Sequence, residues 1–208
     1  MADAATAKVH IVNRALIKLG MPPSYSIDGE SNLGGTVDAV WPGVAARSVA
    51  TYDWSHSRRT YKPVKLATAP DNGWEFGFVL PAERIGEPIA VLSQAGLYER
   101  YLRDYMVEAG NIYARIDPIW VRVRVLLSPD FWDQGFAAAF TLALAAAFAV
   151  PLLQDEGLAA ELDAQAFGRP QDMGSGGLFG RLIALDRAAQ PQGRGFMAND
   201  PLTSARWS

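Results

Sequence analysis

The residues of this 208-residue chain whose types and spacing could do chemistry are two histidines, three glutamates, a glycine–serine cluster and a run of bases. His10 falls within a helical pattern and His56 within a polar run. Neither has carboxylates at metal-ligand spacing, so each reads as a structural or surface histidine. Glu75, Glu83 and Glu87 could work as general acid and base only if something isolated them from water and from one another, and no such pattern surrounds them. Gly174-Ser175-Gly176-Gly177 follows no strand and lacks the Gly-Lys-Ser/Thr of a phosphate-binding loop, so it reads as a flexible start to a helix. Arg58, Arg59, Lys62 and Lys65, interleaved with Trp54 and Tyr61, could contact nucleic acid. A solvated basic loop, or one facing an acidic patch on a neighbouring subunit, is the preferred reading. No catalytic residue, cofactor site or metal site is assigned.

The elements that must position these residues are mostly helical. Val9, Val12, Leu16 and Leu19 recur at helical spacing over 8–19, with Thr6 or Asp3 as a cap and Gly20 and Pro22-Pro23 as the stop. A second helix is expected over about 31–52, kinked or unwound at Pro42-Gly43. Residues 74–80 alternate as a strand ending at Pro81. Residues 83–91 read as a short helix or turn followed by strand, and 97–107 and 111–116 as two short strands turning at Gly110. Trp120 to Val125 alternates again and leads into Ser128-Pro129-Asp130, which reads as N-cap, first helical residue and dipole-facing acid of a long helix. Two more helices are expected over 155–166 and 177–190.

That long helix is alanine-rich, with Phe136, Phe140, Leu144 and Phe148 forming one apolar ridge beside Phe131 and Trp132. These six are the candidates for core or lateral helix packing. Residues 134–153 carry no charge and are long enough to cross a bilayer. Acids flank them on both sides, with no nearby Lys or Arg to orient a span, so a buried bundle helix is expected. The expected fold is mainly α: a helical bundle with a small antiparallel β portion and an extended C-terminal tail.

Composition suits a globular chain of one domain or one domain with an appendage. A chain of this size buries roughly 70% of its unfolded surface without a staple. There is no cysteine, which removes disulfides and thiolate metal sites, and the N-terminus lacks the basic region and apolar run of a signal peptide. Net charge is −3, which does not favour free nucleic-acid binding. Residues 130–172 nevertheless hold Asp130, Asp133, Asp155, Glu156, Glu161, Asp163 and Asp172 against Arg169 alone, whereas the first 65 residues are net basic. Such polarity suits head-to-tail packing of copies, with a solvated acidic face as the plainer reading. The last eighteen residues are rich in Gly and Pro yet carry Arg194, Phe196, Met197, Leu202, Arg206 and Trp207, anchor-type residues for docking on another chain.

Several short pieces recur in a suggestive order. They are Asn13-Arg14-Ala15-Leu16 with Leu19-Gly20, Glu30-Ser31, Tyr52-Asp53-Trp54 with Arg58-Arg59, Trp74 to Pro81, Gly110 to Tyr113, and Pro129 to Phe136. Together they cover most of residues 8–167, and the chain thereby resembles the head-to-tail adaptors of tailed phages, specifically the tail tubular protein A family of short-tailed phages. Asp53 stands where that family would place proline, Ser55-His56 replaces a more apolar pair, and 169–208 is an added extension.

The resemblance implies a structural virion protein rather than an enzyme, made in the host cytoplasm and placed at the head–tail junction. Its copies would form a ring, twelvefold in this family, below the portal and above the tail nozzle or next tail protein. Double-stranded DNA would pass through the ring without sequence-specific binding, with the acidic 155–163 region at the lumen or rim. On this reading 1–167 is a helical adaptor domain with a β insertion at about 74–127, 168–190 an additional helix, and 191–208 the portal-docking tail. The alternatives are a small helical nucleic-acid-binding protein and a membrane-associated protein.

Overall fold

The computed structural model describes residues 4–26, 33–96, 99–172 and 175–189. The chain opens with α1 (Ala4–Lys18), which buries Ile11, Val12, Ala15 and Leu16. Gly20, at φ 74°, ends it: Gly20 N–H bonds the Ile17 carbonyl and Met21 N–H the Leu16 carbonyl, both at 3.0 Å. That pair of bonds satisfies the last carbonyls of the helix in the glycine-terminated manner. Helix α2 (Leu33–Ala50) stays helical across Pro42, so the chain does not unwind at Pro42-Gly43. Next to that proline, Trp41 packs edge-on against Phe140 at 4.8 Å and parallel to Trp132 at 6.0 Å.

Eight strands follow: β1 (Arg58–Tyr61), β2 (Val64–Lys65), β3 (Phe76–Val79), β4 (Arg84–Gln94), β5 (Arg100–Leu102), β6 (Tyr105–Glu108), β7 (Asn111–Ala114) and β8 (Trp120–Val125). They form two antiparallel sheets, ordered β1-β8-β4-β5 and β2-β3-β7-β6. Val91, Val121, Val123 and Val125 of the first sheet share a buried core with Phe78, Ile112 and Ala114 of the second. The alternation of β8 decides this face, valines inward and Trp120, Arg122 and Arg124 outward.

The expected mainly α bundle with a small β portion is therefore corrected. The chain is 47% helical and 22% strand, with two four-stranded antiparallel sheets and five helices among the described residues. Three stretches account for the difference. The basic run expected as a loop is strands β1 and β2. The stretch at 83–91, expected to begin as helix or turn, lies almost wholly in the eleven-residue β4. That strand accommodates Gly86 (φ 72°) and Pro88 because its register against β8 shifts between Ile85 and Ala90. A bulge of this kind frees the ladder positions that proline cannot fill. The single strand expected over 97–107 is two, β5 and β6, one in each sheet.

The turn from β6 to β7 places Ala109 at φ 48° and Gly110 at φ 77°. Both residues of a mirror-type hairpin turn need positive φ, which alanine adopts at a cost and asparagine more readily. Ala109→Asn is expected to raise stability by about 0.5–1 kcal/mol, read as a higher midpoint in urea.

The long helix also starts later than expected. Pro129–Phe131 forms a separate 3-10 turn, and Ser128 makes no side-chain capping bond. Trp132 is extended and its indole N–H reaches the Leu127 carbonyl at 3.0 Å, which breaks the turn from the helix. Asp133 is the N-cap of α3 (Gln134–Leu153), its carboxylate accepting from Phe136 N–H at 2.9 Å. Helix α3 packs against α1, α2, α4 (Glu156–Phe167) and α5 (Gly177–Ala189), and these helices share a second core. Leu127 touches both cores, and Ile85 of β4 packs into the helical one.

Candidate interaction surfaces

By length and composition α3 is apolar enough to cross a membrane. Its ridge, however, is spent inside the chain: Phe136, Phe140, Leu144 and Phe148 are buried, as is Trp132. Of the six packing candidates only Phe131 projects, 64% exposed on the 3-10 turn.

The four basic candidates do not merge into one positive patch. Arg58 sits beside Asp53, Nε to Oδ1 at 3.0 Å, and donates from Nη2 to the Asp53 carbonyl at 3.0 Å. Lys65 pairs with Asp117 at 2.8 Å and lies 4.1 Å from the centre of the Phe76 ring. Arg59 and Lys62 are exposed and make no ion pair with a described residue. Counterion release from DNA needs several uncompensated bases together, and here half of them are already neutralised.

Two arginines that were not singled out in the sequence flank Arg58. Strand register sets Arg124 opposite Arg58, and Arg122 opposite Thr60, on the outward face. Arg122 donates to Glu99, and its Nε reaches Thr60 Oγ1 at 3.3 Å. Burial alone would lower the Arg122 pKa, but bonding to Glu99 and the charge of that carboxylate raise it. The signal was the alternation of Val121-Arg122-Val123-Arg124-Val125, which puts both bases on one face once β8 is accepted as a strand.

His56 occupies a joint where the segment after α2 meets the start of α3 and α5. Its ring lies 4.9 Å from Phe136 and 5.9 Å from Trp54, and Trp54 and Phe136 both contact Phe179 of α5. Burial lowers the His56 pKa below the usual value, while Asp133 and Asp186 pull it up. Asp186 accepts from Ser55 Oγ at 2.5 Å, tying α5 to this joint. Because the folded pKa is lowered, His56 contributes stability above the unfolded value, and that contribution is lost as pH falls through the folded value. The expected result is a melting temperature that drops between about pH 7 and pH 5, and drops less in His56→Gln.

His10 lies exposed on α1, and Glu75, Glu83 and Glu87 are exposed. The Glu83 pKa is lowered by its own backbone hydrogen bond and by Tyr61. Among the described residues no three His, Asp or Glu side chains are placed to hold a metal ion. Of the glycine–serine cluster, Gly174 lies outside the described residues; Gly176 and Gly177 pack so closely that a Cβ on either would strike Asp172 or the Ala166 carbonyl. Their smallness closes the joint between α4 and α5.

A shallow groove of about 340 Å³ runs between α2, α3 and α4, lined by Val44, Ala143, Ala146, Ala147, Ala159 and Phe167. Its charged residues satisfy each other, Arg47 gripping Asp163 at 2.5 and 3.0 Å while stacking 3.8 Å over Phe167. The C-terminal candidates Arg194, Phe196, Met197, Leu202, Arg206 and Trp207 lie outside the described residues. Comparison with protein families finds no matching family, and comparison with curated proteins finds no significant relative.

Proposed function

We propose that this chain is a structural virion protein, an adaptor whose copies form a twelve-membered ring joining the portal to the tail. The ring encloses the channel through which double-stranded DNA leaves. The observation that carries the reading is where the pieces of the sequence resemblance fall: Glu30-Ser31 lies outside the described residues, and the others supply joints of the fold. Asn13 bonds both the carbonyl and the N–H of Tyr25 at 3.0 Å, fastening α1 to the loop that follows it. Trp54 is buried and donates to the Ser48 carbonyl at 3.1 Å, closing the end of α2. Gly110 turns β6 into β7, Phe78 and Leu80 fill the sandwich core, and Trp132 and Asp133 set the start of α3. Pieces that serve one architecture in order are what a shared fold would require, and their order resembles that of the phage adaptors.

The surface chemistry suits a passive conduit. Arg58 and Lys65 are neutralised by Asp53 and Asp117, and the exposed side of α4 is acidic, so a DNA duplex would meet little to hold it. The portal and the tail nozzle, or next tail protein, are the partners above and below, with residues 191–208 as the portal-gripping segment and the virion as the site of residence. The test is electron microscopy of purified particles, with an antibody raised against this chain. Label at one vertex, between head and tail, is the expected result; particles that lack the chain, or carry it elsewhere, would overturn the reading.

A further inference from the structure

Two exposed helix surfaces on opposite ends of the charge distribution complement one another. On α1, His10, Arg14, Ile17 and Lys18 follow at intervals of four, three and one, which sets them on one face, and all are exposed. Ile17 is 57% exposed at one edge of that face, beside the bases, and α1 contains no acidic residue. At the other surface α3 ends with Val150 and Leu153, 45% and 40% exposed. The chain then passes through left-handed Gln154 into exposed Asp155 and Glu156 at the start of α4. Glu161, one turn further along, is exposed as well. Arg14, Lys18 and Glu156 make no ion pair with any described residue.

Each surface thus sets exposed apolar residues beside charged ones, basic on one and acidic on the other, and each lacks what the other supplies. Helices α1 and α4 both pack along α3 and make no comparable contact with each other. We propose that a second copy of this chain covers these surfaces: the α1 face of one copy seats on the α3–α4 corner of the next. Ile17 packs against Val150 and Leu153, while Arg14 and Lys18 face Asp155 and Glu156. The contact is heterologous, so it propagates from copy to copy and closes into a ring when the rotation per subunit fits. The inference rests on the ring reading above and names its lateral contact.

The test uses full-length chain carrying Arg14→Gln with Ile17→Gln, or Val150→Gln with Glu156→Gln. All four positions are exposed, and Asp155 is left alone because its carboxylate caps α4. Sedimentation velocity at low salt is expected to show wild type forming species larger than a dimer. Each variant alone is expected to associate roughly 30-fold more weakly, as loss of a central contact does. Mixed in equal amounts, the two variants retain one intact contact between them and stop at a dimer. Matching circular dichroism melts establish that the variants are folded. If a double variant fails that control, Arg14→Gln and Glu156→Gln alone serve, each expected to reduce the salt sensitivity of wild-type association.

A wild type that stays monomeric, variants that associate as wild type does, or a mixture with no dimer would each overturn the inference. If the chain still labels the head–tail junction of particles in those cases, the adaptor reading survives without this contact. If the mixture does complement but the chain is absent from particles, the contact stands and the adaptor reading falls.

Discussion

Phe136→Ala is expected to lower the stability of the folded chain by about 4 kcal/mol, the middle of the range for a truncated core aromatic. Phe136 is 1% exposed and its ring meets Trp54 at 5.5 Å, His56 at 4.9 Å, Trp132 at 5.2 Å and Phe179 at 5.6 Å. Those four neighbours come from the segment after α2, the start of α3 and α5. They are held on several elements and cannot all collapse into the gap, so most of the cavity term persists. The same substitution opens the side of His56 that burial now shields, so the histidine should titrate closer to its ordinary value. Chemical denaturation measures the first effect and an NMR titration of His56 the second. A loss below about 1 kcal/mol, the cost expected of a site that collapses freely, would show that the joint is not packed as described.

Gly177→Ala is expected to cost about 3 kcal/mol, from strain of the left-handed backbone together with overpacking. Gly177 has φ 65°, and a Cβ there would stand 2.5 Å from both the Ala166 carbonyl oxygen and the Gly168 nitrogen. These are backbone atoms, which cannot swing aside as a side chain can. Gly20→Ala provides the control, since its φ of 74° is equally unfavourable but nothing lies within 4 Å of the added methyl. It should cost only about 1 kcal/mol. The difference between the two midpoints in denaturant isolates the close approach of α5 to the end of α4. In Gly177→Ala the loss should centre on α5, with amide exchange rising first over 177–189.

Elements whose pattern is local could be read from the residues themselves. Val9, Val12, Leu16 and Leu19 before Gly20 define α1, and the valines of β8 define a half-buried strand. The Phe136 to Phe148 ridge marks the buried stripe of α3. What escaped is what depends on distant partners. Strand β1 is Arg-Arg-Thr-Tyr, polar on both faces, and is a strand because it pairs with β8 more than sixty residues later. Strand β4 contains Gly86 and Pro88, which argue locally against a strand and are accommodated only by its shifted register against β8. The count of helix against sheet went wrong for these reasons.

The candidate surfaces divide in the same way. The basic character of residues 58–65 was visible, but Asp53 and Asp117, which neutralise Arg58 and Lys65, are assigned to them only by the fold. Nor does any spacing announce that His56 will stand between Trp54 and Phe136. Exposed Ile17 could be placed among bases from helical periodicity alone. Its complement at Val150 and Leu153 could not, because in a stretch so uniformly apolar the residues left uncovered are chosen by the neighbouring helices.

The sandwich core and the helical core share Leu127, Ile85 of β4 packs into the helical one, and α2 lies against β4 and β8. Load applied to the strands therefore reaches the helices through α2, Ile85 and Leu127. Under tension that separates strands from helices, this seam is expected to yield before either core, and bending to concentrate there as well. A protein built this way can let one end tilt against the other while each end stays rigid.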